Sequence, residues 1–129
     1  MPRELRNILY VDDETDIQTV VALALEFSGE LSVQCCGSGA EALKLIESSP
    51  PDLVLLDVMM PALDGPSTLH RIRALPRGDR VPVIFVTAKV QPYEIERFMS
   101  LGAIGVVTKP FDPLTLAATI QSMWAKADA

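Results

Sequence analysis

Aromatic side chains make up only 5% of the 129 residues, so a core has to be assembled from aliphatic ones. Cysteine is scarcer still. The only two, Cys35 and Cys36, are adjacent within an alternating apolar run, and they read as buried, reduced strand residues. A metal or redox role for the two needs separated donors, and there are no other cysteines to complete such a set. The single histidine, His70, falls on a helical stretch and reads as a surface residue. No apolar run approaches the roughly 20 residues of a membrane helix. The N-terminal "MPRELRNILYVDDE" also lacks the charged-then-apolar pattern of a signal peptide, so a cytoplasmic protein without membrane contact is expected. No cluster of Lys and Arg stands out against a net charge of -6, which argues against nucleic acid as a partner and favours cations and proteins. Linkers, repeats and low-complexity segments are absent, so residues 1–129 are expected to form one domain with no output domain.

What is present is an alternation of two periodicities. Compact apolar runs at 7–11, 31–36, 53–57, 82–87 and 104–108 read as strands. Stretches with apolar residues at helical spacing separate them, at 14–27, 39–48, 66–75, 92–102 and 113–126. Gly29, the Pro50-Pro51 pair and Pro76 offer stops, and Pro92 suits a first helical turn. Regular alternation of this kind predicts right-handed crossovers and a doubly wound α/β fold, a parallel sheet covered by helices on both faces.

Polar residues gather where such a sheet binds ligands, beyond the carboxyl ends of its strands. The first strand runs into Asp12 and Asp13, the third ends in Asp57, the fourth in Thr87, and the fifth is followed by Lys109 and Pro110. Asp13 could cap the first helix, with Asp16 three residues on as its partner. That accounts for one acid of three. Crowded carboxylates repel and resist desolvation, and a hard divalent cation with oxygen ligands relieves both costs. Beside them, Lys109 suits a salt bridge or a phosphate contact, and Thr87 followed by small Ala88 would leave an accessible hydroxyl. Asp64, in the turn before the third helix, reads as a turn residue.

At this point the chain resembles the receiver domain of two-component response regulators along nearly its whole length. The resemblance rests on "ILYVDDE", "DLVLLDVMMPALDG", "VIFVTA" and "VVTKPF", in that order and at compatible spacing. It implies five strands in the order 2-1-3-4-5 flanked by five helices. It implies that Asp57 accepts a phosphoryl group from the phosphohistidine of a histidine kinase or phosphotransfer protein. Asp12, Asp13, Asp57 and the backbone carbonyl of Met59 would hold Mg²⁺, with Lys109 and Thr87 contacting the phosphoryl group. A cis Lys109-Pro110 bond belongs to the same pattern. The implied output is a switch in the fourth helix, fifth strand and fifth helix that is read by a downstream protein, in a monomer or weak homodimer. Beyond its own phosphorylation and dephosphorylation, no enzyme activity is implied.

One departure stands out. Members commonly carry Tyr or Phe three residues before the lysine, and this chain has Val106, which has no large inward and outward states. Partner recognition is therefore expected on the fourth-helix face around Pro92, Ile95 and Phe98. Met59 and Lys89 occupy positions that influence dephosphorylation in the family. Two alternatives compete: a receiver-shaped interaction module that is never phosphorylated, and a phosphatase-like enzyme on a related fold. The second would need a D-x-D pattern after the first strand, where this chain has Asp12, Asp13 and Glu14.

Overall fold

The computed structural model describes residues 4–27, 29–88 and 91–128. The alternation is complete: β1 (Asn7–Val11), α1 (Thr15–Glu26), β2 (Ser32–Cys36), α2 (Gly39–Ser48), β3 (Leu53–Asp57), α3 (Gly65–Ala74), β4 (Val83–Thr87), α4 (Pro92–Ser100), β5 (Gly105–Thr108) and α5 (Leu116–Asp128). All neighbouring strands pair in parallel, in the order β2-β1-β3-β4-β5. The chain therefore leaves β1 in one direction and returns on its other side at β3, so the crevice that such a sheet uses for ligands lies at the ends of β1 and β3.

Strand alternation sorts the aliphatic residues into two layers. Leu9, Val11, Val54, Leu56, Val83 and Phe85 face α2, α3 and α4, which supply Ile46, Leu69, Ile72 and Phe98. Ile8, Tyr10, Leu53, Leu55, Ile84 and Val86 face α1 and α5, which supply Val21, Leu25, Ile120 and Trp124. Every residue of β3 and β4 is buried, as continuous hydrophobicity in a central parallel strand requires. Truncating one such leucine to alanine costs about 2–5 kcal/mol, so β3 is a rigid support for whatever it carries at its ends.

Helix starts follow local chemistry. The Ser38 hydroxyl accepts from the Glu41 N–H at 3.1 Å and the Asp64 carboxylate from the Ser67 N–H at 2.8 Å, opening α2 and α3. The fifth helix begins at Leu116, not at 113. Asp112 accepts from the Leu114 N–H through its carboxylate and from the Thr115 N–H through its carbonyl, which makes residues 112–115 a turn.

Two expectations need correction. Cys36 is buried but Cys35 is only half-buried, because β2 is an edge strand covered on fewer sides. Four arginines do crowd into ten residues, at 71, 73, 77 and 80. Arg73 is turned inward, however, donating to the carbonyls of Gly78 and Val81, and Arg77 reaches the Ser48 carbonyl. His70 is exposed, as expected.

Candidate functional site

The register places the acids side by side. Tyr10 pairs with Leu55 and Val11 with Leu56, so the next residues, Asp12 and Asp57, stand as neighbours at the sheet's edge. Asp12 is fully buried, Asp57 is 3% exposed and Asp13 is exposed. Carboxylate oxygens of the three lie within 4.8 Å of one another. From β5, the Lys109 ammonium reaches Asp12 Oδ2 at 3.0 Å and Asp57 Oδ1 at 3.4 Å. The Lys109 N–H donates to the Thr87 carbonyl at 2.8 Å, tying the ends of β4 and β5 together. The Lys109-Pro110 peptide is cis.

Asp12 is the most heavily engaged group. Its Oδ1 accepts from the Glu14 N–H at 2.9 Å, and its Oδ2 accepts from the Tyr10 hydroxyl at 2.6 Å as well as from Lys109. Gln18 on α1 donates to the Asp12 carbonyl at 2.6 Å and to the Cys36 carbonyl at 3.2 Å. The capping role considered for Asp13 is not seen. Glu14 occupies the N-cap position without a side-chain cap bond, and the carboxylate that accepts from an N–H at this helix start is that of Asp12. Asp13 is thereby left exposed at the mouth of the site.

The loop after β3 is built to hold Asp57 still. Val58 N–H donates to the Val86 carbonyl and Gly65 N–H to the Val58 carbonyl, each at 3.0 Å. A side chain at Gly65 would meet the Asp57 carbonyl oxygen at 2.7 Å, so only glycine permits this return. Between them the chain turns tightly, with Ala62 at φ 65°. The Met59 N–H donates to the Asp57 carboxylate, while the Met59 side chain points outward at 64% exposure and Met60 is buried.

Two buried carboxylates share one ammonium, and the imbalance appears at Asp57 and Lys109. Burial, and then the Asp12 charge, push the Asp57 carboxyl up to about 6 against the counter-pull of Lys109 and the Met59 N–H. Burial works against the Lys109 ammonium, but Asp12 and Asp57 outweigh it and hold the lysine above its ordinary value. An all-oxygen donor set with surplus negative charge fits a hard divalent cation such as Mg²⁺ and suits a soft metal poorly. The cluster thus combines a buried carboxylate, acids that could hold a cation and an ammonium in contact with two of them, a set of groups that phosphoryl transfer can use.

Thr87 is 1% exposed, not the open hydroxyl suggested by its place before Ala88. It lies at the end of β4, on the face that carries Phe85. On the side expected to meet partners, Pro92 is exposed and Ile95 and Val106 are half-buried. Phe98 is a correction: it is 1% exposed, its ring 5.1 Å from that of Phe85, and it anchors α4 instead of facing outward. Lys89 lies outside the described residues. Tyr10 and Gln18 were not anticipated. Period-two alternation could have revealed Tyr10, since it shares a strand face with Asp12 two residues on.

The family profile of the response regulator receiver domain matches residues 8–121. The chain belongs to that family. Among proteins similar to this receiver, the alkaline phosphatase synthesis transcriptional regulatory protein PhoP of Bacillus subtilis is 36% identical over 123 residues, 95% of this chain and 50% of that protein. The transcriptional regulatory protein CseB of Streptomyces avermitilis is 37% identical over 120 residues, 93% of this chain and 49% of the relative. The receiver thus spans about half the length of these regulators. Among solved structures, the Vibrio cholerae chemotaxis protein CheY4 superposes with a TM-score of 0.84 at 28% identity, covering 93% of this chain and 99% of the other. A CheY-like receiver domain protein from Methanospirillum hungatei gives 0.82 at 28% identity, covering 95% and 96%.

Proposed function

We propose that this receiver is a phosphoacceptor switch, with residues 1–129 acting as one unit and Asp57 taking a phosphoryl group from the phosphohistidine of a histidine kinase or phosphotransfer protein. The observation that carries this reading is the convergence of Asp12, Asp13 and Asp57 within 4.8 Å, with Lys109 in contact with two of them. Similarity to a chemotaxis protein and to the receiver-matching half of transcriptional regulators supports it.

Asp12, Asp13, Asp57 and the Met59 carbonyl would hold Mg²⁺, which would supply positive charge to offset the acids and the incoming phosphoryl oxygens. The Asp57 carboxylate attacks phosphorus in line, forming the O–P bond of an acyl phosphate as the P–N bond to the donor imidazole breaks. Rigid β3 and the glycine-dependent return at Gly65 keep that oxygen in place. Lys109 turns from the carboxylates to the phosphoryl oxygens, where its point charge opposes the developing negative charge. The Thr87 hydroxyl then turns toward the phosphoryl group. Because Thr87 shares a sheet face with Phe85, and Phe85 packs on Phe98, movement there biases α4 and through it the α4-β5-α5 face that a downstream protein reads. Val106 adjusts its packing in this change without the two-state swing of an aromatic side chain. The unit works in the cytoplasm as a monomer or weak homodimer. No helix among the described residues is long and apolar enough to cross a membrane.

The test is incubation with acetyl phosphate, with and without Mg²⁺, followed by intact-mass measurement. One phosphoryl group should be gained only with the metal. No gain, or an equal gain in chelator, overturns the proposal.

A further inference from the structure

Tyr10 stands out as a polar-tipped aromatic in a strand otherwise made of aliphatic residues and one asparagine. Its ring is fully buried in the layer formed with Val21 and Leu25 of α1, Leu55 of β3 and Val107 of β5. Packing alone would be served by phenylalanine. The hydroxyl instead reaches the edge of the sheet and donates to Asp12 Oδ2 at 2.6 Å, in the short range of charge-assisted O–H···O⁻ bonds.

We propose that Tyr10 is a positioning residue of the metal site, whose hydroxyl fixes the Asp12 carboxylate against rotation. The inference rests on the Mg²⁺ reading above and deepens it. Asp12 Oδ2 has two donors, and they differ in permanence. Lys109 also contacts Asp57 and is the group that a phosphoryl oxygen would draw away. Tyr10 is held by its ring in a close-packed layer and stays on Oδ2 when the lysine leaves. With the Glu14 N–H on Oδ1, the carboxylate keeps a donor on each oxygen at every stage. Hydrogen-bond partners behind a metal-binding carboxylate typically contribute about 10- to 100-fold to affinity.

The chain has one other tyrosine, Tyr93, which is 67% exposed on α4 and serves as an internal control. In calorimetric titration with Mg²⁺, Tyr10→Phe is expected to bind about tenfold more weakly than the wild type, and Tyr93→Phe equally well. The Mg²⁺ concentration that half-saturates phosphoryl uptake should rise by the same factor, with the maximal rate retained. Near-ultraviolet tyrosine absorption should change on Mg²⁺ addition in the wild type and in Tyr93→Phe, but not in Tyr10→Phe. In Tyr93→Phe the one remaining tyrosine is Tyr10, so a change confined to the tyrosine bands and distinct from those of Trp124 decides the matter even where the Tyr10 variant fails to fold. Unchanged Mg²⁺ affinity in a folded Tyr10→Phe, or no absorption change in Tyr93→Phe, overturns the assignment of Tyr10 alone. A wild type that takes up no Mg²⁺ overturns the metal-site reading together with it.

Discussion

Strand β3 is preceded by one aspartate and ends on another, and the two are treated in opposite ways. Asp52, just before Leu53, accepts from the Arg6 and Asn7 N–H groups at 3.0 and 2.9 Å, while its own N–H donates to the Asn7 carbonyl. It is a partly exposed brace between β1 and β3. Asp57, five residues on, is buried beside a second carboxylate with one lysine between them, and its proton affinity is driven upward. One acid stabilises the fold; the other is kept at the fold's expense. A group maintained against the local energetics is a better sign of function than its residue type.

Removing the cation at the costly end should have the largest effect. Lys109→Ala is expected to slow phosphoryl uptake from acetyl phosphate about 100-fold at saturating Mg²⁺, as loss of one preorganised charge-stabilising donor does. Time-resolved intact-mass measurement checks this, and a rate within twofold of the wild type would remove Lys109 from the chemistry.

Stability should respond next, and with opposite signs at the two ends. Because the folded Asp57 carboxyl titrates near 6 against an ordinary 3.8, its penalty is absent below about pH 4, where it is protonated folded or unfolded, and complete once pH rises past 6. In chelator, Asp57→Asn should therefore be more stable than the wild type at pH 8 by on the order of 2–3 kcal/mol. The gain should fade as pH drops through 6 toward 4. Urea unfolding at both pH values reads it, and a destabilised variant at pH 8 would refute the claim that Asp57 is held at a cost. At the other end, Asp52→Ala should lose about 1–2 kcal/mol in the same assay by leaving the Arg6 and Asn7 N–H groups without their carboxylate. An unchanged midpoint would mean that Asp52 braces nothing.

Much of this contrast is legible in the sequence. Period-two and helical spacing reveal the alternation that makes a parallel sheet, and the sheet alone directs attention to Asp12, Asp57 and Lys109, residues far apart in the chain. What stays hidden depends on which way a side chain points. Pro92, Ile95 and Phe98 share a helical stripe, and only tertiary packing turns its Phe98 end inward onto Phe85. Thr87 ends a strand, yet the neighbouring elements bury it. Asp13 looks like a helix cap until Asp12 is found accepting from Glu14. Tyr10 passes for a core residue because its ring is one; only the hydroxyl belongs to the site.

The measurement that bears most directly on the two-ended strand is phosphoryl uptake by Asp57→Asn and Asp52→Asn side by side, with Mg²⁺ and acetyl phosphate, read by intact mass. Asp52→Asn is expected to gain one phosphoryl group as the wild type does, and Asp57→Asn none. A labelled Asp57→Asn, or an unlabelled but folded Asp52→Asn, would contradict the division of roles between the two ends of β3.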